Sequence, residues 1–205
     1  GVSFNYWGYH FATDGTGGRA YQVRPDGKSG FRMQAVLNKT VRPVPANGVV
    51  SSPHFPDKYQ GNFLILNSIG FLGIKQYKMV HSTQGKDSDG DGFGDEYETV
   101  KKSDPNDPNK KPGGSLGDIW GVDQENLLIS PKDRNFRPTD FEIGGDGAMY
   151  ISDWQNIIIG HMQHNVRDPS RDHEFGRVYR ITHEGRPLMP HVKVDGQPIS
   201  KLLDL

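Results

Sequence analysis

The chain has 205 residues, a formal net charge of −1 and no Cys; 33% of it is hydrophobic, with 26 Gly and 14 Pro. A near-neutral chain without a basic stretch argues against nucleic acid as the main partner. The lack of Cys excludes a disulfide framework, a Cys-type zinc site and a covalently attached c-type haem within this sequence. No apolar run approaches the roughly 20 residues that span a bilayer as a helix.

Gly and Pro are spread along the sequence rather than gathered in one tract. Many short elements joined by turns are therefore expected, which favours an all-β domain or part of one. The first strand-like run is Gly8-Tyr9-His10-Phe11-Ala12-Thr13-Asp14. Its pattern is Gly, two variable residues, an aromatic or Leu, two small or apolar residues, then Asp or Asn. The pattern returns in Gly61-Asn62-Phe63-Leu64-Ile65-Leu66-Asn67 and in Gly147-Ala148-Met149-Tyr150-Ile151-Ser152-Asp153. Asn67 lies 53 positions after Asp14, and Asp153 lies 86 after Asn67; setting aside the 33 residues from Gly85 to Gly117, whose composition differs, restores the second interval to 53. A following strand recurs as well: Gly73-Ile74-Lys75-Gln76-Tyr77-Lys78 resembles Gly176-Arg177-Val178-Tyr179-Arg180-Ile181.

Repeats of about 40–50 residues with several strands each point to β-propeller blades, with a β-sandwich as the structural alternative. Three blades cannot close a ring, because about four are needed. The expectation is a fragment of a six-bladed propeller, with blades over residues 1–84 and 118–190. His10 falls inside a strand, where a packing or surface role is expected, and His54 falls on a loop before the second repeat. Asp14-Gly15-Thr16-Gly17-Gly18 has neither Lys nor a following helix, so it is not read as a phosphate loop.

The segment 85–117 carries the strongest chemical motif. Asp87-Ser88-Asp89-Gly90-Asp91-Gly92-Phe93-Gly94-Asp95-Glu96-Tyr97-Glu98 matches an EF-hand calcium loop at every defined position. Ca²⁺ takes six to eight hard oxygens at about 2.3–2.6 Å. Asp87, Asp89 and Asp91 would wrap it from one side, Gly92 would make the sharp turn, and the Phe93 carbonyl would supply the seventh position. Asp95 would act directly or through water, and Glu98 would close the sphere with both oxygens. No helix precedes Asp87, but Asp95 to Lys102 can form two helical turns. The Asp-Pro tail that follows resembles the single loop-and-helix repeats of dockerins and thrombospondin type 3 modules, which makes Asp104 a secondary candidate. The alternative is a solvated acidic linker. A lone loop lacks the partner of a regulatory sensor, so a constitutive structural site is expected, and millimolar calcium outside the cell would fill even a weak one.

Residues 136–181 read as strand, Asp-Gly turn, strand, polar crossing, strand, with Asp146-Gly147 favouring a tight hairpin. The crossing places His161, His164, Arg167, Asp168, Arg171, Asp172 and His173 close behind Trp154. Interleaved Arg and Asp can pin a loop by internal ion pairs. Equally, His can act as a general base near neutral pH and Arg can clamp a carboxylate. His161, His164, Arg167 and Asp168 are thus the candidate catalytic residues. The last stretch, 191–205, reads as the start of a following helical region.

Phe136-Arg137-Pro138-Thr139-Asp140, Asp146 to Trp154, Ile159-Gly160-His161-Met162-Gln163-His164-Asn165, Arg167 to His173, and Gly176 to Thr182 with Gly185-Arg186-Pro187-Leu188 form a long, specific string. Arg42-Pro43-Val44-Pro45, Ser51-Ser52-Pro53-His54-Phe55-Pro56 and Gln60-Gly61-Asn62 extend it upstream. Together they resemble the membrane-bound dehydrogenases of planctomycetes and their relatives, the PVC-type haem-binding proteins, over nearly everything but residues 85–117. The resemblance implies a propeller similar to glucose and sorbosone dehydrogenases, with pyrroloquinoline quinone as cofactor, a sugar or polyol as substrate, and an extracytoplasmic location. It also implies partners within a larger protein: the remaining blades, helical repeats and a haem domain. No haem-attachment motif occurs here, and no catalytic residue of that family maps onto this sequence.

Overall fold

A computed structural model of the chain describes residues 1–38, 40–158 and 167–203. Among the described residues it is mostly β-sheet, with two short α-helices and one 3₁₀ turn at Asp57–Tyr59. Three antiparallel sheets follow one another along the chain. The first contains β1 (Val2–Phe4), β2 (His10–Asp14), β3 (Arg19–Pro25) and β4 (Phe31–Ala35). The second contains β5 (Asn47–Val49), β6 (Phe63–Asn67), β7 (Gly73–His81) and β8 (Ile119–Asp123), with β9 (Leu128–Ile129) paired to β7. The third contains β10 (Pro138–Ile143), β11 (Met149–Asp153) and β12 (Arg177–Ile181). Each copy of the repeated motif ends in the second strand of its sheet: β2, β6 and β11. The recurring follower is the third strand, β7 or β12. Helix α1 (Asp95–Lys101) lies in the connection between β7 and β8, and α2 (Ile199–Leu202) near the C-terminus. Among the described residues no helix is long and apolar enough to cross a membrane.

Strand β6 shows why the sheets stack. Its five residues are all buried, and successive side chains of a strand point to opposite faces. Phe63 and Ile65 enter a core with Phe11, Ala20, Val36, Tyr77 and Ile119, between the first and second sheets. Leu64 and Leu66 enter another with Ala46, Phe141, Met149 and Ile151, between the second and third. Burying a side chain of this size contributes about 1.5–3 kcal/mol, so β6 stabilises both junctions at once. Gly48 in β5 is required by the second junction, since a Cβ there would sit 2.5 Å from the Phe141 ring. At the first junction, Asn47 accepts from the Ser3 hydroxyl (2.6 Å) and donates to Thr13 (2.7 Å), tying β1 and β2 to β5.

The two outer faces differ. Register places Val2, Ala12, Tyr21 and Ala35 in one row, and Phe4, His10, Val23 and Met33 in the next. The outer face of the first sheet is therefore apolar over most of its rows, with Phe4 60% and Phe31 70% exposed, and carries Asp14 and Arg19 at one end. The outer face of the third sheet carries Asp140, Ser152 and Val178, then Glu142, Tyr150 and Arg180. The 144–147 turn forms as the Asp-Gly pair suggests: Gly147 has φ +81°, and Asp146 accepts from the Ala148 N–H (3.0 Å).

Candidate metal centre

The residues of the loop fold on their own carboxylates. Asp87 accepts from the backbone N–H groups of Gly90 (2.7 Å) and Gly92 (3.0 Å), Asp89 from Asp91 (3.1 Å), and Asp91 from Phe93 (2.8 Å). Gly92 turns the chain at φ +98°, a conformation that side chains disfavour. The result brings one carboxylate oxygen each from Asp87, Asp89 and Asp91 within 4.8 Å of one another. Two oxygens on opposite sides of Ca²⁺ stand about 4.6–5.2 Å apart, so one ion can bridge this set.

Glu98 supplies the independent observation. It is fully buried, and neither carboxylate oxygen makes a hydrogen bond: the neighbouring Ser103 hydroxyl donates to the Lys110 carbonyl instead, though it stands near enough to favour the charged carboxylate. The outer oxygens of Asp89 and Asp91 are likewise buried without a hydrogen bond. Burial, reinforced by the charges of Asp89 and Asp91, pushes the Glu98 carboxyl above its usual range. Leaving a buried charged group unmade costs several kcal/mol in effect. A divalent cation removes that cost by supplying the missing charge, and the donor set is all hard oxygen, which suits Ca²⁺ or Mg²⁺ over softer metals.

The rest of the loop is held by packing. The Phe93 and Tyr97 rings stack at 6.1 Å and bury themselves with Val80 against Trp120 and Val122 of β8. This fixes the peptide whose carbonyl is the expected seventh-position ligand. α1 adds a Lys78–Glu96 ion pair (2.5 Å) and Lys101 over the Trp120 ring (3.8 Å). Asp95 is occupied by Ser88, accepting from its N–H and its hydroxyl (2.7 Å each), and these bonds lower its carboxyl pKa. That geometry fits an indirect role through water. Asp104 faces Asn106 and Lys110 instead of the aspartate cluster. Lys111, which the loop pattern does not contain, reaches the Asp91 carbonyl (3.2 Å) and carboxylate (3.8 Å).

The polar crossing is organised differently. His161 and His164 lie outside the described residues. Arg167 is exposed, and Asp168 accepts from the N–H (2.9 Å) and hydroxyl (2.6 Å) of Ser170. Arg171 donates to the Ile158 carbonyl (2.9 Å), and Asp172 accepts from the N–H groups of Glu174 and Phe175 (3.0 Å each). The anchor is Asp153. One oxygen accepts from the N–H groups of Arg137 (2.7 Å) and Gln155 (2.8 Å); the other takes the Arg177 guanidinium, which also reaches Asp133 (2.7 Å). His54 is no free loop histidine: it is buried, accepts at Nε2 from the His183 N–H (2.8 Å), and its Nδ1 therefore donates to the Pro187 carbonyl (2.9 Å). Nothing in the local sequence around His54 announces that contact.

Residues 120–185 match a family described as a domain of unknown function, DUF7133. The match begins inside β8, just past the segment 85–117, and runs through β12, so it contains Asp153, Arg177 and the polar crossing but not Asp87–Glu98. No curated protein and no solved structure matches the chain.

Proposed function

We propose that this chain is a calcium-stabilised all-β module in which Asp87, Asp89, Asp91, the Phe93 carbonyl and Glu98 hold one Ca²⁺, with Asp95 acting through water. The observation that carries this is Glu98, a buried carboxylate with both oxygens unsatisfied beside two further aspartates. The ion is structural: it joins β7, α1 and the loop into one unit. Three stacked antiparallel sheets, with the repeated motif always in the second strand, support a propeller as the architecture. The apolar outer face of the first sheet supports a further sheet as its neighbour. An extracytoplasmic location, where calcium is abundant, suits such a site.

Between catalysis and scaffolding, the polar contacts favour a non-catalytic scaffold or a module that binds carbohydrate or protein. Arg137, Arg171 and Arg177 donate to the chain's own carbonyls and carboxylates, which does not fit a clamp for the carboxylates of pyrroloquinoline quinone. A quinone-dependent sugar or polyol dehydrogenase is the second reading, favoured by the sequence resemblance alone.

Calorimetric titration of the chelator-stripped protein with Ca²⁺, followed by melting with and without it, tests the first reading. One site and a raised melting point are expected. No heat and no shift would reduce the loop to a solvated insert.

A further inference from the structure

The segment that carries the loop ends in a second, unrelated cluster. Asp118 is 1% exposed, and its carboxylate takes Arg24 of β3 (2.6 Å) and Arg32 of β4 (3.0 Å), with the Ser115 N–H (2.8 Å) on its other oxygen. Arg24 also donates to the Leu116 carbonyl (3.1 Å). Gln22 of β3 is fully buried; its amide donates to the Gly117 carbonyl (3.3 Å) and accepts from the Ile119 N–H (3.2 Å). Three side chains of the first sheet thus grip the end of a segment that belongs to the second.

Ser82 joins that grip to the loop. It is fully buried. Its carbonyl accepts from Gly94 N–H (2.9 Å), the residue that opens α1, and its N–H donates to the Asp118 carbonyl (2.9 Å). Its hydroxyl accepts from the Gly117 N–H (2.8 Å) and donates to the Ser115 carbonyl (3.3 Å). The hydrogen bonds run without a gap from the aspartate loop through Gly94, Ser82 and Asp118 to β3 and β4.

Resting on the calcium reading above, we infer that the ion acts as a latch: its binding locks the first sheet onto the second through Ser82 and Asp118. Without the ion, repulsion among Asp89, Asp91 and Glu98 loosens Gly94, and the grip on Gln22, Arg24 and Arg32 loosens with it. The third sheet contributes no residue to this chain of contacts, so the effect is local. Asp118 and Ser82 are positioning residues and touch no ion.

Amide hydrogen exchange of the whole chain, with chelator and with millimolar Ca²⁺, tests the latch. Amides of β3 and β4 should exchange at least about tenfold more slowly with Ca²⁺, while those of β10 to β12 change little. Asp118→Asn should still give the calorimetric Ca²⁺ signal but lose the slowing in β3 and β4. Arg32→Gln, on a partly exposed side chain, repeats the test if Asp118→Asn fails to fold. Ca²⁺ heat with unchanged exchange in β3 and β4 would overturn the latch and leave the metal site standing. Equal slowing in all three sheets would also overturn it, as global stabilisation. Absence of Ca²⁺ heat would overturn both.

Discussion

The aspartate-loop segment and the polar crossing are both rich in charge, yet their most buried carboxylates stand in opposite conditions. In the crossing and its sheet, Asp153 meets Arg177, Asp146 meets Arg180, and Asp168 meets Ser170. In the loop, Glu98, Asp89 and Asp91 keep buried oxygens without hydrogen bonds, and only Asp91 has a cation near, Lys111 at 3.8 Å. Charge density alone marks neither region as a site. A buried carboxylate that its own fold leaves without hydrogen bonds is the stronger pointer, because it must either take up a proton or be met by a cation.

The largest test of that contrast is on the satisfied side. Asp153→Ala would leave the Arg177 guanidinium with only Asp133 and strip two backbone N–H groups. A loss of about 3 kcal/mol is expected, with or without calcium, read by denaturant unfolding. A calcium-dependent loss would blur the distinction. On the unsatisfied side, Ca²⁺ at a hundred times its dissociation constant should stabilise the wild type by about 2.7 kcal/mol. Glu98→Gln should abolish that gain while leaving the chelated protein as stable as before, or more so, since it removes an unpaired buried charge. Melting of both proteins with chelator and with calcium decides this, and a retained gain would refute the ligand set.

Acid should act on the third sheet. Arg180 beside Asp146 holds its carboxyl down to about 2, from an ordinary 3.8. The folded value is depressed, so the contribution is complete above the ordinary value and is lost as pH falls toward about 2. Melting between pH 5 and 2 should show an acid limb that Asp146→Asn flattens; an unchanged limb would assign it elsewhere. The smallest effect is expected at Asp168→Ala, which removes the two side-chain bonds from Ser170 at a solvent-facing turn, with a loss of about 1 kcal/mol. If the crossing is catalytic after all, quinone-dependent dye reduction should fall far more than stability does.

The sequence made the local features legible. The twelve-residue loop is specified by spacing within itself, and three strands by the recurring Gly-to-Asp or Asn motif, so β2, β6, β11 and α1 fall where their residues predict. What stayed hidden depends on distance. Asp118 meets Arg24 and Arg32 across 94 and 86 positions, and no local pattern encodes that pairing. His54 reads as a loop residue, yet it joins segments 129 and 133 positions away. Glu98 was legible as a ligand by position, but its burial follows from the packing of Phe93 and Tyr97 on β8, which only the fold supplies.

Strand β6 has a kinetic consequence. The first and third sheets each complete a core on one of its faces, and neither core can form before β6 is paired with β5 and β7. The hairpin of β6 and β7 closes over a short connection, Ser68–Leu72, and the β2–β3 and β10–β11 hairpins of the flanking sheets close over turns at least as short. Short loops close first. Each sheet can thus form its hairpin early, but docking of either flanking sheet waits on β6, so Ile65→Val should slow folding and Ile151→Val should mainly speed unfolding.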